Sequence, residues 1–377
     1  MRVTGPWLTA PGLRRVLGLL AEAGHQALVV GGAVRNDLLG VPISDVDIAT
    51  DARPDRVTAL LAGAGLRAIP TGLEHGTITA LSDGQAFEIT TFRRDVETDG
   101  RRAVVAFADR VEDDAQRRDF TINALYATAE GEVLDPTGGL ADLPARRLRF
   151  VGDPATRIAE DYLRILRLYR FWAQYGAPDR ATHAAALAAI RPHVAGLAQI
   201  SRERIGAEMR KLLAVPDPVP MVDDMAAAGV LAQALPGAEA AALPALVAAE
   251  GRTPPAALRR IAALGGTDPV AALRLSRDEA RALAAIARAK GLPAHEAAYR
   301  HGAEAARDAA LIAAAHGAPL PKGLGDAIAR GAAATFPICA ADLPGLTGKP
   351  LGDALKALES RWITSGFTAT RADLLGG

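Results

Sequence analysis

Gly31-Gly32-Ala33-Val34-Arg35-Asn36 and, a short link later, Ser44-Asp45-Val46-Asp47-Ile48 decide how this chain reads. Ala27-Leu28-Val29-Val30 is a short apolar strand that runs into the paired glycines, and residues 33–39 read as a short helix ended by Gly40. Glycines at a strand-to-helix turn let backbone amides approach a phosphate closely, and Arg35 adds positive charge there. Alone, the same glycines serve as well for a tight turn. Asp45-Val46-Asp47-Ile48-Ala49 alternates polar and apolar residues, as a half-buried strand does. Asp45 and Asp47 then share one face, with Val46 and Ile48 on the other. Two neighbouring carboxylates repel each other, and hard oxygen ligands of this kind suit magnesium. Two such ions, about 3.5–4 Å apart, can activate an attacking hydroxyl and stabilise a leaving phosphate. A bare Asp-x-Asp is a solvated strand edge; the glycine turn upstream makes it a candidate catalytic metal site.

Around this stretch the chain mixes strands and helices. Residues 11–23 read as a helix ended by Gly24, and residues 54–63 as a helix with Pro54 in its first turn. Residues 77–81 and 86–92 read as strands joined through Ser82-Asp83-Gly84. From about Asp153 strand signals almost vanish, and Ala, Leu and Arg dominate to residue 377. Proline and glycine punctuate that part at helix-length intervals, with candidate boundaries near residues 215–218 and 265–266. No fixed repeat period emerges.

Composition bounds the partners. The 377 residues suffice for two or three domains, and half of them are apolar. Basic and acidic residues balance at 43 each, so any RNA contact must come from local basic patches. The single cysteine, Cys339, excludes an internal disulfide framework and a Cys-rich zinc site, which fits a reducing compartment. The N-terminus does not resemble a signal peptide, and no apolar run of about 18 residues occurs. A soluble cytoplasmic protein is expected, with no membrane and no obligatory protein partner.

Two further constellations carry chemistry. Arg117-Arg118-Asp119-Phe120-Thr121-Ile122-Asn123-Ala124 leads two arginines into an apolar stretch that returns to the sheet. A guanidinium there can grip a triphosphate in bidentate fashion, while Asp119 and Asn123 read as local scaffolding. Glu160-Asp161-Tyr162-Leu163-Arg164-Ile165-Leu166-Arg167-Leu168-Tyr169-Arg170 is strongly helical, and Asp161 and Arg164, three apart, share a face. Arg167 falls to the side and Arg170 nearly opposite. An intrahelical salt bridge is the plain reading of such a pair. The sharper one is base selection. Cytosine and adenine present an amine beside an unprotonated ring nitrogen, whereas uracil and guanine present a carbonyl beside a ring N–H. A carboxylate beside a guanidinium matches the first two and leaves polar groups unpaired with the others.

Taken in order, these motifs, with Leu38-Leu39-Gly40 and Glu74-His75-Gly76-Thr77, resemble the class II tRNA nucleotidyltransferase and poly(A) polymerase family. The resemblance covers residues from about 27 to 172 and continues more weakly to about 215. It implies an α+β chain: a polymerase β-like head with a small mixed sheet over residues 1–150, a helical neck over 151–215 that binds base and RNA, and a helical body and tail over 216–377 that bind tRNA. It implies that Asp45 and Asp47 hold Mg2+, that Gly32 and Arg35 contact the incoming nucleotide and that Arg118 binds its triphosphate. Asp161 and Arg164 read the base, and Arg167 and Arg170 are further nucleotide contacts. A flexible loop is implied at roughly residues 95–107, including Asp99-Gly100-Arg101-Arg102. The family usually has Asp after the first arginine; here Asn36 stands there, so Arg35 is expected to be less firmly held, with activity surviving. Glu88, a third acid near the pair by sheet geometry, is expected to order a nearby arginine.

The remaining features are bland. His75 reads as loop architecture or a ribose contact, and no His-Asp dipeptide occurs, so an appended phosphohydrolase domain is not expected. No Walker-type loop or Gly-x-Gly-x-x-Gly fingerprint appears. Leu346-Thr347-Gly348-Lys349-Pro350-Leu351-Gly352 reads as a capped surface loop before a helix over 351–361. The leading expectation is CCA addition to tRNA from CTP and ATP, with RNA held by neck arginines and recognised by shape. A poly(A) polymerase or a partial A- or CC-adding enzyme shares the chemistry. A non-catalytic RNA-binding protein on a degenerate scaffold stands against the intact Asp45, Asp47, Arg118, Asp161 and Arg164.

Overall fold

Short apolar runs near the N-terminus form the strands, the central ones buried on both faces. The structure, a computed structural model, describes residues 1–98 and 103–376. Residues 99–102, the centre of the loop expected to be flexible, lie outside the described residues. The strands are β1 (Ala27–Val30), β2 (Asp47–Thr50), β3 (Arg67–Gly72), β4 (Thr77–Ser82), β5 (Gln85–Thr91), β6 (Arg93–Thr98), β7 (Ala103–Phe107), β8 (Tyr126–Ala127) and β9 (Val133–Leu134). Seven form one sheet in the order β3-β4-β5-β2-β1-β8-β9, and β6 and β7 pair separately. β2 runs parallel to β5 and antiparallel to β1, so the sheet is mixed, as expected for a head of this kind.

Alternation sets which of two buried faces each residue reaches. Leu28, Val30 and Ala49 join a buried cluster with Phe92, Ala115, Tyr126 and Val151. Val29 and Ile48, one residue out of phase and opposite each other in register, point the other way. The helix Pro11–Glu22 buries Leu13, Val16, Leu17 and Leu20, a single helical stripe, and packs on β1, β4 and the helix Pro54–Gly63. Each such side chain stabilises the fold by roughly 1.5–3 kcal/mol relative to exposure. β2 begins at Asp47, two residues later than the alternation predicts. Its partner β1 ends at Val30, opposite Asp47, and the next amide, that of Gly31, donates to Leu125 O at 2.9 Å. Asp45 therefore sits in the loop before the strand.

Past Leu134 the described residues contain no further strand. Contacts divide the chain into two units: Met1–Arg204 with Ala227–Gln233, and Ile205–Ala226 with Ala234–Gly377. In the first, Asp153 caps the helix Pro154–Glu160 by accepting from Thr156 N at 2.8 Å. The helix Leu163–Tyr175 follows and buries Leu163, Ile165, Leu166, Leu168, Tyr169, Phe171 and Trp172. No helix among the described residues is long and apolar enough to cross a membrane.

The second unit is helical and has a charged centre. Arg260, 0% exposed, donates to Glu250 Oε2 at 2.6 Å, to the carbonyls of Leu213 at 2.8 Å and Pro216 at 2.9 Å, and to that of Val215. Beside it Arg259 donates to Asp308 and to Glu250, each at 2.7 Å. The helix Arg277–Ala289 opens with a reciprocal cap between Ser276 and Glu279. Trp362, Ile363, Leu374 and Ile338 make a separate small core with Tyr299, Phe336 and Phe367. The helix expected over 351–361 runs Gly348–Thr364, because Gly348-Lys349-Pro350 forms its exposed first turn and Trp362 and Ile363 bury its last.

Candidate active site

β1 delivers the chain to Gly31, whose φ of 72° and ψ of −116° lie where L side chains are strained. The helix Gly32–Leu39 starts there and Gly40 ends it in the left-handed conformation. Two guanidiniums lean on the bare glycines. A Cβ at Gly31 would stand 3.7 Å from Arg118 Nη1, and one at Gly32 would stand 3.7 Å from Arg35 Nη2. The turn is thus a cationic cradle beside the first amides of a helix, which have no acceptor within that helix, an arrangement suited to phosphate.

Each arginine is braced from behind. Arg118 donates from Nε and Nη2 to Asp114 Oδ2 at 3.1 and 2.8 Å, and from Nε to Tyr126 OH at 2.9 Å. Asp114 is 1% exposed and also accepts from Arg117 Nε at 3.2 Å. Burial works to raise its pKa, but the Arg118 and Arg117 charges and the Tyr126 hydroxyl overcome that and hold it below the ordinary carboxylate value. Arg35 is buried and, contrary to expectation, firmly held. Its Nε and Nη2 donate to Asn36 Oδ1 at 3.1 and 2.9 Å, Nη2 donates to Tyr175 OH at 2.9 Å, and Nη1 donates to Asn123 Oδ1. Its guanidinium lies 4.0 Å from the Tyr175 ring centre. An amide oxygen accepts as a carboxylate does, so replacing Asp by Asn at 36 removes charge and keeps the brace. Burial lowers the pKa of Arg35, with Tyr175 and then Asp119 opposing.

The acids face this cradle. Asp47 is opposite Val30 and, across the parallel ladder, opposite Glu88. Its surface is open to solvent, yet the surrounding protein desolvates the carboxylate in part. That desolvation, then repulsion from Glu88 and Asp45 against the pull of Arg118, holds its pKa at about 6. Asp45 is exposed and accepts from Ser44 Oγ at 2.9 Å. Glu88 was expected to order an arginine; among the described residues it pairs with none, and its register partners are Asp47 and Thr79. Among the described residues no three His, Cys, Asp or Glu side chains form a ready-made metal cluster. Two or three repelling carboxylates nevertheless fit Mg2+, which commonly takes one or two carboxylates and completes its shell with water and substrate phosphate.

Asp119 proves to be scaffolding, as expected. It accepts from Phe120 N at 2.7 Å, Asn123 Nδ2 at 3.0 Å and Arg167 Nε and Nη2 at 2.8 and 2.5 Å. Burial pushes its pKa up, and Arg167 with the hydrogen bonds pulls it down to about 2. Arg167 is therefore tied to the 117–124 motif. Arg170 is buried, donates to Gln174 Oε1 at 3.1 Å and stacks 4.0 Å over the Phe171 ring, which Arg35 and Arg167 also approach at 5.3 Å.

The Asp161–Arg164 expectation needs correction. The helix breaks at Asp161, whose φ of −152° and ψ of 101° are extended, because its carboxylate caps the next helix by accepting from Leu163 N at 3.1 Å. Arg164 does not bond Asp161 through its side chain. It donates to Glu160 Oε2 at 2.5 Å and to the carbonyls of Arg157 at 2.6 Å and Arg117 at 3.3 Å. Asp161 instead accepts from Arg204 Nη2 at 2.7 Å. Sequence reasoning missed Asp114, Tyr175, Phe171, Glu160 and Arg204 as partners. Asp114 is four residues before Arg118 and Glu160 four before Arg164, a spacing that signals an ion pair. Arg204, 43 residues from Asp161, gives no such signal. His75 belongs to the short 3-10 turn Leu73–His75, and its carbonyl accepts from Arg93 Nη1.

A family model described as the Poly A polymerase head domain matches residues 27–149, and one described as a probable RNA and SrmB-binding site of polymerase A matches residues 183–242. The mitochondrial CCA tRNA nucleotidyltransferase 1 of Mus musculus is 44% identical over 211 residues, 55% of this chain and 48% of that protein. The CCA-adding enzyme of Bacillus pumilus is 45% identical over 200 residues, 52% of this chain and 48% of that protein. The chain spans about half the length of the curated relatives it matches. Among solved structures, the Bacillus stearothermophilus CCA-adding enzyme in complex with CTP aligns with a TM-score of 0.76 and 30% identity, over 96% of this chain and 94% of that one.

Proposed function

From the premise that the chain belongs to the CCA-adding enzyme and poly(A) polymerase family, we propose that it adds CCA to the 3′ end of tRNA, taking CTP and ATP as substrates. The observation that carries this reading is the meeting of an unneutralised acid pair, Asp45 and Asp47, with a glycine turn flanked by two braced arginines. In the reaction the terminal ribose 3′-hydroxyl loses its proton and bonds the α-phosphorus, the bond to the β-phosphate oxygen breaks, and pyrophosphate leaves.

Asp45 and Asp47 would hold Mg2+, which when bound would supply charge neutralisation at the reacting phosphate and acidify the attacking hydroxyl. Gly32 opens the helix whose amides receive the triphosphate, and Arg118 and Arg35 neutralise its oxygens. Asp114 and Asn36 fix those two guanidiniums, so they need no reorganisation as charge builds on the phosphates. Asp161 presents the acceptor for the amine of C or A, Arg164, held on Glu160, supplies a donor to the base, and Arg167 and Arg170 on the same helix are further nucleotide contacts. The head over 1–150 does the chemistry, the neck over 151–215 reads base and RNA, and the body and tail over 216–377 bind tRNA by shape. The single cysteine suits action in the cytoplasm.

Purified protein incubated with tRNA lacking CCA, first with each NTP separately and then with CTP and ATP together, tests the reading. C should enter first and A only after two C. Long tails of A alone would assign the chain to poly(A) synthesis, and no incorporation would make it a binding protein.

A further inference from the structure

Asp161 is the group to which the proposed function gives base choice, and its setting differs from the one its sequence suggests. It stands at a break between two helices, where its direction is not fixed by a helical lattice. Two donors fix it instead. Leu163 N occupies Oδ1 at 3.1 Å, and Arg204 Nη2 occupies Oδ2 at 2.7 Å. An ionised carboxylate has about four acceptor sites, so both oxygens keep one free for a ligand. The side chains of Asp161 and Arg204 are 29% and 50% exposed, so this edge is open to an incoming base. Arg164 does not orient Asp161: its side chain is 12% exposed and donates instead to Glu160 and to two carbonyls.

We propose that Arg204 is a positioning residue for base selection, acting through Asp161. Its grip on Oδ2 sets the plane of the carboxylate, so the free acceptor site meets the exocyclic amine of cytosine or adenine and confronts the carbonyl of uracil or guanine. Without Arg204 the carboxylate swivels about its one remaining tether and a water can enter between it and a wrong base. Discrimination then falls because the penalty for burying a mismatched carbonyl is relieved by that water. Arg204 carries no step of the transfer itself.

The inference rests on the proposed CCA addition, and the experiment separates the two. Full-length wild type, Arg204→Ala and Arg204→Lys are assayed with tRNA lacking CCA, and kcat/KM is measured for CTP and for UTP. The wild type should favour CTP strongly. Arg204→Ala should lower the CTP-over-UTP ratio by roughly tenfold, the factor of one lost charge-assisted hydrogen bond, and Arg204→Lys should recover part of it. A ratio unchanged in Arg204→Ala, with both rates reduced equally, overturns the inference and leaves Arg204 a structural residue. If a thermal melt shows Arg204→Ala unfolded, Arg204→Gln gives the decisive ratio by the same criterion. A wild type that incorporates no C overturns the parent reading, and the inference with it.

Discussion

Two arginine clusters in this chain use the same chemistry to opposite ends. In the second unit Arg259 and Arg260 are buried with Glu250 and Asp308, and carboxylates and backbone carbonyls surround both guanidiniums. In the first unit Arg118 has a carboxylate and a phenol behind it, while its Nη1 reaches the glycine turn, and the facing acids Asp45, Asp47 and Glu88 have no cation bonded to them among the described residues. Closure makes an architectural core, whose net contribution is small because desolvation offsets attraction, but whose rupture is costly. Openness leaves electrostatic work undone, and a substrate with its metal can do it. Charge count alone does not separate the two; what separates them is whether each donor and acceptor already has a partner.

The strongest way to break this contrast is Asp47→Ala. Loss of several kcal/mol of charge stabilisation at the reacting phosphate should cut CTP incorporation by about four orders of magnitude, at roughly 1.4 kcal/mol per tenfold. Removing a crowded acid should leave the melting temperature unchanged or raise it. Full activity would mean that Asp47 is no metal ligand. Glu250→Ala should behave inversely. Two buried guanidiniums lose their shared carboxylate, so a urea titration should show a loss of about 3 kcal/mol, with turnover per folded molecule unaltered. Reduced turnover at full stability would refute the architectural role.

Smaller effects sharpen the picture. Asp119 has a folded pKa of about 2 against an ordinary 3.8. Because the folded value is the lower one, its contribution of about 2 kcal/mol is complete above about pH 4 and disappears as pH falls toward 2. Asp119→Asn should therefore flatten the stability curve across that interval, and an unchanged curve would place the acid transition elsewhere. Asp114→Asn keeps the shape of the Arg118 brace and removes its charge. It should lower kcat/KM for CTP by roughly tenfold, mainly through KM, the scale of one weakened charge-assisted hydrogen bond. An effect confined to melting would place Asp114 with Glu250 as architecture.

Much of this is legible in the sequence. The apolar run of Ala27–Val30 and the alternation through Asp47 and Ile48 mark the two central strands, and paired glycines after the first mark the turn. Local spacing fails where the partner is remote or where two local rules compete. Asp161 fits a helical pattern, but aspartate is also a good cap, and capping Leu163 N won. Asp45 fits the strand alternation, but a strand extends only as far as its neighbour, and β1 turns away at Gly31. Arg204 and Tyr175 lie far along the chain from the groups they hold, beyond any periodicity.

Arg35 and Asp119 also bear on synthesis. Both lie within the stretch matched as a head domain, residues 27–149, yet Tyr175 and Arg167 complete their partners. A ribosome that has released only residue 149 has made the whole sheet, but with a buried cation and a buried anion each missing a partner. The sheet can be drawn as a module, but its two buried charges are fully partnered only once the helix Leu163–Tyr175 has joined it. A shuffled or truncated gene cut at the family boundary would inherit that debt, whereas one cut after Tyr175 would not.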